Sequence, residues 1–259
     1  MTMLIQFFQP FGTEITHIEI ATASQASAEH IARILVQHRV VVLREQSASD
    51  TDLVQFLKRF GELTFTEGEI PVAGASDLNV VSNVGRTTPA RSVFHTDTSY
   101  VQRPPAIGAL RAVLLPEAGG CTLFSDQVHA AAALPKKILD RLRGQTLLHS
   151  AKGQDGLVRQ ARHPVLRRHP TSGEESLFLS TPERCSGLSN TDEESSVRIV
   201  DILYRRSVRP ARLYRHAWRR GDIVIWDNRV TMHRADHANV IGDRVLHRGL
   251  ILGEPPLPA

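Results

Sequence analysis

The sequence predicts a mainly β fold with peripheral helices, a double-sheet jelly roll (double-stranded β-helix) over 1–259 as one domain. Three observations carry this: many short apolar strands, frequent Gly/Pro punctuation between them, and helices confined to a few places. Strands and helices alternate only in the first sixty residues, which argues against a parallel α/β sheet.

In chain order, Glu14 to Ile20 alternates apolar and polar residues and reads as a half-buried strand. Ala28 to His38 sets Ile31, Ile34 and Leu35 on one helical face. Val40-Val41-Val42-Leu43 reads as a fully buried strand, and Leu53, Phe56, Leu57 and Phe60 mark a second helix ending at Gly61. Strands then follow at Leu78 to Ser82, Ile107 to Leu115, Cys121 to Phe124, Gln145 to His149 and Pro164 to Arg167. Four more lie at Leu177 to Leu179, Ala211 to Tyr214, Ile223 to Trp226 and Val245 to Leu252. Helices interrupt at Lys136 to Arg143 and at Asp192 to Arg206, the latter with Val200 and Leu203 inward.

Composition narrows the function classes. With 259 residues, 41% apolar and 22% charged, the chain is long enough for one substantial core. No apolar run reaches membrane-spanning length, and Met1 to Phe8 lacks a basic n-region, so no membrane or signal segment is expected and a cytoplasmic location is the default. Cys121 and Cys185 exclude a disulfide framework or a multi-Cys zinc site, and each reads as a small core or loop residue. A net charge of +4, with Arg205-Arg206 and Arg219-Arg220 as isolated pairs, gives no nucleic-acid signature.

His95-Thr96-Asp97 is the stretch that bears on chemistry. Residues two apart on an extended strand share a face, so the imidazole and carboxylate can reach one cation. A third ligand from another strand would complete a two-His, one-carboxylate facial triad, which leaves the far side of a ferrous ion open. Chance supplies such a tripeptide easily. His17-Ile18-Glu19 has the same form, but nothing downstream supports it, and it reads as the exposed face of the first strand.

The C-terminal part supplies that support. Gly221 to Asn228 is a turn followed by a buried strand, and His233 follows where it could point into a barrel mouth. Trp226 reads as core packing. Arg244 and Arg248 share a strand face, and two inward guanidinium groups call for anions. The alternative places both outside, with Val245, His247 and Gly249 inward.

These residues, in order, resemble the TauD/TfdA family of Fe(II)/2-oxoglutarate-dependent dioxygenases. The landmarks are Phe60-Gly61-Glu62-Leu63, His95 to Tyr100, Pro104-Pro105, Gly119 to Phe124, His163-Pro164, His169-Pro170, Trp226 to Ala235, Arg244 and Arg248. The resemblance implies that His95, Asp97 and His233 ligate Fe(II), and that Thr122 and Arg244 hold the distal carboxylate of 2-oxoglutarate. It also implies that Arg248 meets an anionic group of the substrate, with Thr98, Arg91 and Thr66 nearby. Thr66 and Glu69 stand where the sulfonate-using member has a histidine and a tyrosine, which argues against taurine as substrate.

The expected reaction consumes O2 and 2-oxoglutarate, releases succinate and CO2, and oxidises, by hydroxylation, a small anionic metabolite. A retained carboxylate at Asp97 argues against a halogenase. Desaturation, cyclisation or C–N oxidation of an amino-acid-derived natural product uses the same ligands. A non-catalytic metal-binding jelly roll is the reading from another class. Segments 85–92 and 180–187 are lid candidates, and a homo-oligomer fits the family.

Overall fold

Val40–Leu43 is buried at every position, and the cause is its place inside a nine-stranded sheet covered on both faces. The computed structural model describes residues 3–85, 92–153 and 156–259. From one edge the sheet runs Leu4–Phe7, Thr13–Thr16, Val40–Leu43, Ile223–Asp227, Ile107–Leu114, Val245–Ile251, Ala75–Ser82 and Pro71–Val72. Leu63–Thr64 adds beside Leu250 and Ile251. Thr13–Thr16 pairs Val40–Leu43 in parallel, and the other pairings are antiparallel.

Side-chain alternation sorts this sheet into two cores. Val41, Leu43, Ile223 and Ile225 pack with Ile31 and Leu35 of the Gln25–His38 helix and with Leu53, Phe56 and Leu57 of the Asp50–Leu57 helix. Their neighbours Val40, Val42, Val224 and Trp226, one residue out of phase, pack on the opposite face with Phe124 and Tyr214. Continuous apolar strands are what such two-sided cover demands. The first helix begins at Gln25, three residues before the expected Ala28, and the second ends at Leu57, short of Gly61. Ser24 caps the first, and Ser49 with Asp52 forms a reciprocal capping box on the second.

Phe124 and Tyr214 belong to a smaller antiparallel sheet, Leu213–His216, Thr122–Asp126 and Thr231–Ala235, which faces the large one. Its outer face carries Leu123 and Met232 into a third cluster with Val200 and Leu203 of the Glu193–Ser207 helix. The two facing sheets with helices outside are the expected jelly roll. Trp226 is fully buried between them, and it lies so close over Gly108 that a Cβ there would sit 2.1 Å from its ring.

Several boundaries differ from the sequence reading. The first strand stops at Thr16, because His17 turns to φ 60° and a 3₁₀ turn over Ile20–Thr22 follows. His17 is therefore exposed in a loop and does not lie on a strand face. Residues 210–212 form a 3₁₀ turn led by Pro210, so the strand expected from Ala211 begins at Leu213. The Gln127–Ala132 helix and the Val158–Pro164 strand had no clear period to announce them. Cys121 and Cys185 are both buried, and burial pushes the Cys185 thiol up to about 12. Among the described residues, no helix is long and apolar enough to cross a membrane.

Candidate active site

His233 sits on the small sheet directly opposite Phe124, on the face turned toward Trp226. His95 joins it through a single antiparallel bridge, with reciprocal backbone bonds of 3.0 Å. The alternation expected for His95-Thr96-Asp97 holds. Thr96 points the other way and donates to the Leu179 carbonyl at 2.7 Å, whereas His95 and Asp97 share the interior. Asp97 itself lies in a turn, and Thr98 follows at φ 47°, a left-handed conformation that strains a β-branched residue.

The potential ligand atoms of His95, Asp97 and His233 all lie within 4.8 Å of one another. His95 Nδ1 is 3.0 Å from the Val93 carbonyl, which places its proton there and turns the Nε2 lone pair toward Asp97 Oδ1, 3.3 Å away. His233 Nε2 is 3.9 Å from Asp97 Oδ2, and that oxygen is buried without a hydrogen-bond partner among the described residues. Two imidazoles converging on a carboxylate with an unsatisfied oxygen suit a divalent cation such as Fe(II).

Electrostatics prepare the ligands for that role. Burial alone would raise the Asp97 pKa, but Arg248, with His233 and His95, holds it well below the usual carboxylate range. Burial, helped by His95 and Arg248, pushes His233 down to about 3 against the pull of Asp97, so its imidazole is neutral. A neutral imidazole and an ionised carboxylate are the metal-binding forms.

Asn228 is the residue whose role the sequence did not disclose. Its Oδ1 accepts from the Asp97 amide at 3.0 Å, while its Nδ2 donates to the carbonyls of Asp97 (3.2 Å) and Pro105 (2.9 Å). One buried amide thus holds the Asp97 turn in place. Its position beside Asp227 at the end of a buried strand was the available signal. Asn228→Ala should weaken Fe(II) affinity about 10–100-fold, the usual effect of losing a residue that orients a ligand. An equilibrium metal titration, with circular dichroism to verify folding, measures this.

A second polar group lies on the same interior face. Thr122 is two residues from Phe124 along its strand, roughly 7 Å from the level of His233. Its hydroxyl accepts from Trp218 Nε1 at 3.0 Å and from Arg244 Nη2 at 3.3 Å, leaving its own O–H free to donate. Arg244 Nε donates to the Gly120 carbonyl at 2.9 Å. Gly120 has φ 71°, and a Cβ there would press to 3.0 Å from Arg244 Cδ. Arg244 is 3% exposed and has no carboxylate in ion-pair distance among the described residues. Burial draws its pKa down to about 10, which leaves it charged at neutral pH.

Arg248 is inward as well, so the outward alternative is excluded. His247 faces the other way and meets Asp50 at 2.8 Å. Both terminal nitrogens of Arg248 are engaged: Nη1 donates to Asp97 Oδ1 at 3.0 Å and Nη2 to Glu69 Oε2 at 2.7 Å. The guanidinium is thus balanced by two carboxylates of the chain and is not open to a substrate anion as it stands. Thr66 and Thr98 meet through their hydroxyls at 3.1 Å and line a cavity of about 200 Å³ with Tyr100. Arg91 lies outside the described residues, as does most of the 85–92 segment. The 180–187 segment is tied down rather than free as a lid. Ser180 and Thr181 are buried, and Cys185–Ser186 pairs with His149 and Leu148.

Comparison with known proteins agrees with this geometry. The family described as "Taurine catabolism dioxygenase TauD, TfdA family" matches residues 5–250. An alkylsulfatase from Acinetobacter baylyi is 30% identical, with 94% of this chain and 82% of that protein covered. An alpha-ketoglutarate-dependent 2,4-dichlorophenoxyacetate dioxygenase from a Burkholderia species is 27% identical, with 98% and 95% covered. The crystal structure of a taurine dioxygenase from Burkholderia xenovorans superposes with a TM-score of 0.88 at 26% identity, covering 99% of this chain and 91% of that one. The chain belongs to the TauD/TfdA family and is a non-haem iron dioxygenase that depends on 2-oxoglutarate.

Proposed function

We propose that His95, Asp97 and His233 hold the Fe(II), that Arg244 and Thr122 hold the C5 carboxylate of 2-oxoglutarate, and that the enzyme oxidises a small organic acid in the cavity beside Thr66 and Thr98. The observation that carries this reading is Arg244. A buried guanidinium without a carboxylate is costly unless a ligand supplies one. Its partner Thr122 lies two residues along the strand from Phe124, which faces His233, so Thr122 is roughly 7 Å from the level of His233 and within reach of a five-carbon diacid.

When bound, the iron and 2-oxoglutarate supply the oxidising power: O2 is consumed, succinate and CO2 leave, and the substrate is oxidised. The residues orient and insulate that chemistry. Thr122 and Arg244 fix one end of the co-substrate by a charged fork and a hydroxyl donor. Asn228 fixes the Asp97 turn, and the Phe124 and Trp226 rings dry the side of the site behind His233. Hydroxylation is the proposed outcome, with an organic sulfate, sulfonate or carboxylate as the substrate class. Support for that class comes from the relatives, whose names specify a sulfate ester activity and an aryloxyacetate.

Adding Fe(II) and then 2-oxoglutarate without oxygen should give the weak visible charge-transfer band of the chelate. The band should vanish in His95→Ala and persist in His17→Ala. Folded wild-type protein that gives no band sinks the reading. Succinate release across a panel of small acids then identifies the substrate.

A further inference from the structure

His163, of the His163-Pro164 landmark, lies outside the group of converging donors and yet reaches the turn that carries one of them. We propose that His163 is a positioning residue: it braces the turn of Asp97 from the end opposite Asn228. The inference rests on the metal-site reading above and adds a residue that acts through the turn rather than on metal or substrate.

The turn over Asp97 to Tyr100 needs support at both ends. Asn228 supplies it at the start, bonding the Asp97 amide and carbonyl at 3.0 and 3.2 Å. Thr98 then takes φ 47°, which a β-branched residue keeps only where its surroundings over-determine it. The bond that closes the turn, from the Val101 amide to the Thr98 carbonyl, is long at 3.4 Å. At this end His163 Nε2 lies 3.0 Å from the Val101 carbonyl. A carbonyl accepts and does not donate, so Nε2 carries the proton. Burial lowers the His163 pKa against the pull of the Val101 and Ser99 backbone groups, which leaves a neutral ring with that one proton.

The ring is itself held in place, as a brace must be. His163 is 2% exposed on the Val158–Pro164 strand, and the His149 and Phe178 rings meet it edge-on at 5.3 and 5.4 Å. That strand pairs along its length with Thr146–Lys152, which also carries Cys185–Ser186. Held at both ends, the turn sets Asp97 beside His95 and His233 and lines the cavity with Thr98, Tyr100 and Val101. Releasing the Val101 end lets Thr98 relax out of its left-handed conformation, and the neighbouring carboxylate moves with it.

Equilibrium titration with Co(II), in the wild-type and Thr98→Gly backgrounds, tests this. His163→Leu removes the donor and should weaken Co(II) binding about 10-fold, the lower end of what a lost ligand-orienting residue costs. His163→Gln, whose Nε2 can reach the same carbonyl, should stay within about 3-fold of the wild type. Glycine adopts a positive φ without strain, so in Thr98→Gly the His163→Leu step should cost less than about 3-fold. A histidine that merely packs the core would cost the same in both backgrounds, or lower the urea midpoint and leave Co(II) affinity alone. Either result, or Leu and Gln variants that bind alike, overturns the proposal. Should His163→Leu not fold, His163→Asn, whose amide stops short of Val101, enters the same cycle with the same expected losses. Wild-type protein that takes up no Co(II) overturns the metal-site reading and this proposal together, whereas the other outcomes strike His163 alone.

Discussion

Asp97→Ala should abolish the anaerobic Fe(II)–2-oxoglutarate band and substrate-dependent succinate release, with Fe(II) affinity falling by more than the about 100-fold that a lost supporting residue costs. The carboxylate has two tasks, which is why its removal is so damaging. It supplies the one anionic donor of the three converging groups, and it balances Arg248 across 3.0 Å. Breaking a buried ion pair costs about 3–5 kcal/mol. Glu69 still pairs the other arm of Arg248, so urea unfolding should report the lower end of that range. Asp97→Asn separates the tasks: it keeps the shape and loses the charge, and it should restore part of the stability without restoring the band. A variant that kept the band would remove Asp97 from the metal site.

Arg244→Leu should act in opposite directions on binding and on stability. Losing the buried partner of a carboxylate costs about 2–5 kcal/mol of affinity, which is roughly 30-fold to several thousand-fold in the KM for 2-oxoglutarate. The ligand-free protein should hold or raise its urea midpoint, because a buried guanidinium with no carboxylate partner among the described residues is replaced by an apolar side chain. Arg244→Lys should recover little affinity, since a point charge cannot reproduce the planar fork. An unchanged KM, or a large loss of stability in Arg244→Leu, would make Arg244 a structural residue.

Long periodic signals were legible in the sequence. The Gln25–His38 and Glu193–Ser207 helices fell within three residues of where their apolar faces placed them, and Val40–Leu43 declared itself buried by having no polar face. Segments whose fate depended on one backbone angle were not legible. His17 at φ 60° ends a strand that its pattern would continue, and Pro210 delays another. The two-residue strands at Leu63–Thr64 and Pro71–Val72 carry too few positions to show a period, and pairing with neighbours alone defines them.

The site divides in the same way. His95, Asp97, His233 and Arg244 could be picked out from residue type and spacing, whereas Thr122 and its shared role with Arg244 were implied only by the family resemblance. Which donors face one another depended on the sheets. The bridge between His95 and His233, the Asn228 clamp and the Thr122–Arg244 pair join residues more than a hundred positions apart. By itself the sequence determined the chemistry available to this protein: two imidazoles, a carboxylate and two arginines on one strand face of a jelly-roll pattern. Only the tertiary structure decided that both arginines face inward, and that among the described residues Arg244 stands without a carboxylate while Arg248 is held by Asp97 and Glu69. The physical reason is that strand spacing fixes which face a charge occupies, whereas its partner is set by the loops that fold back over it.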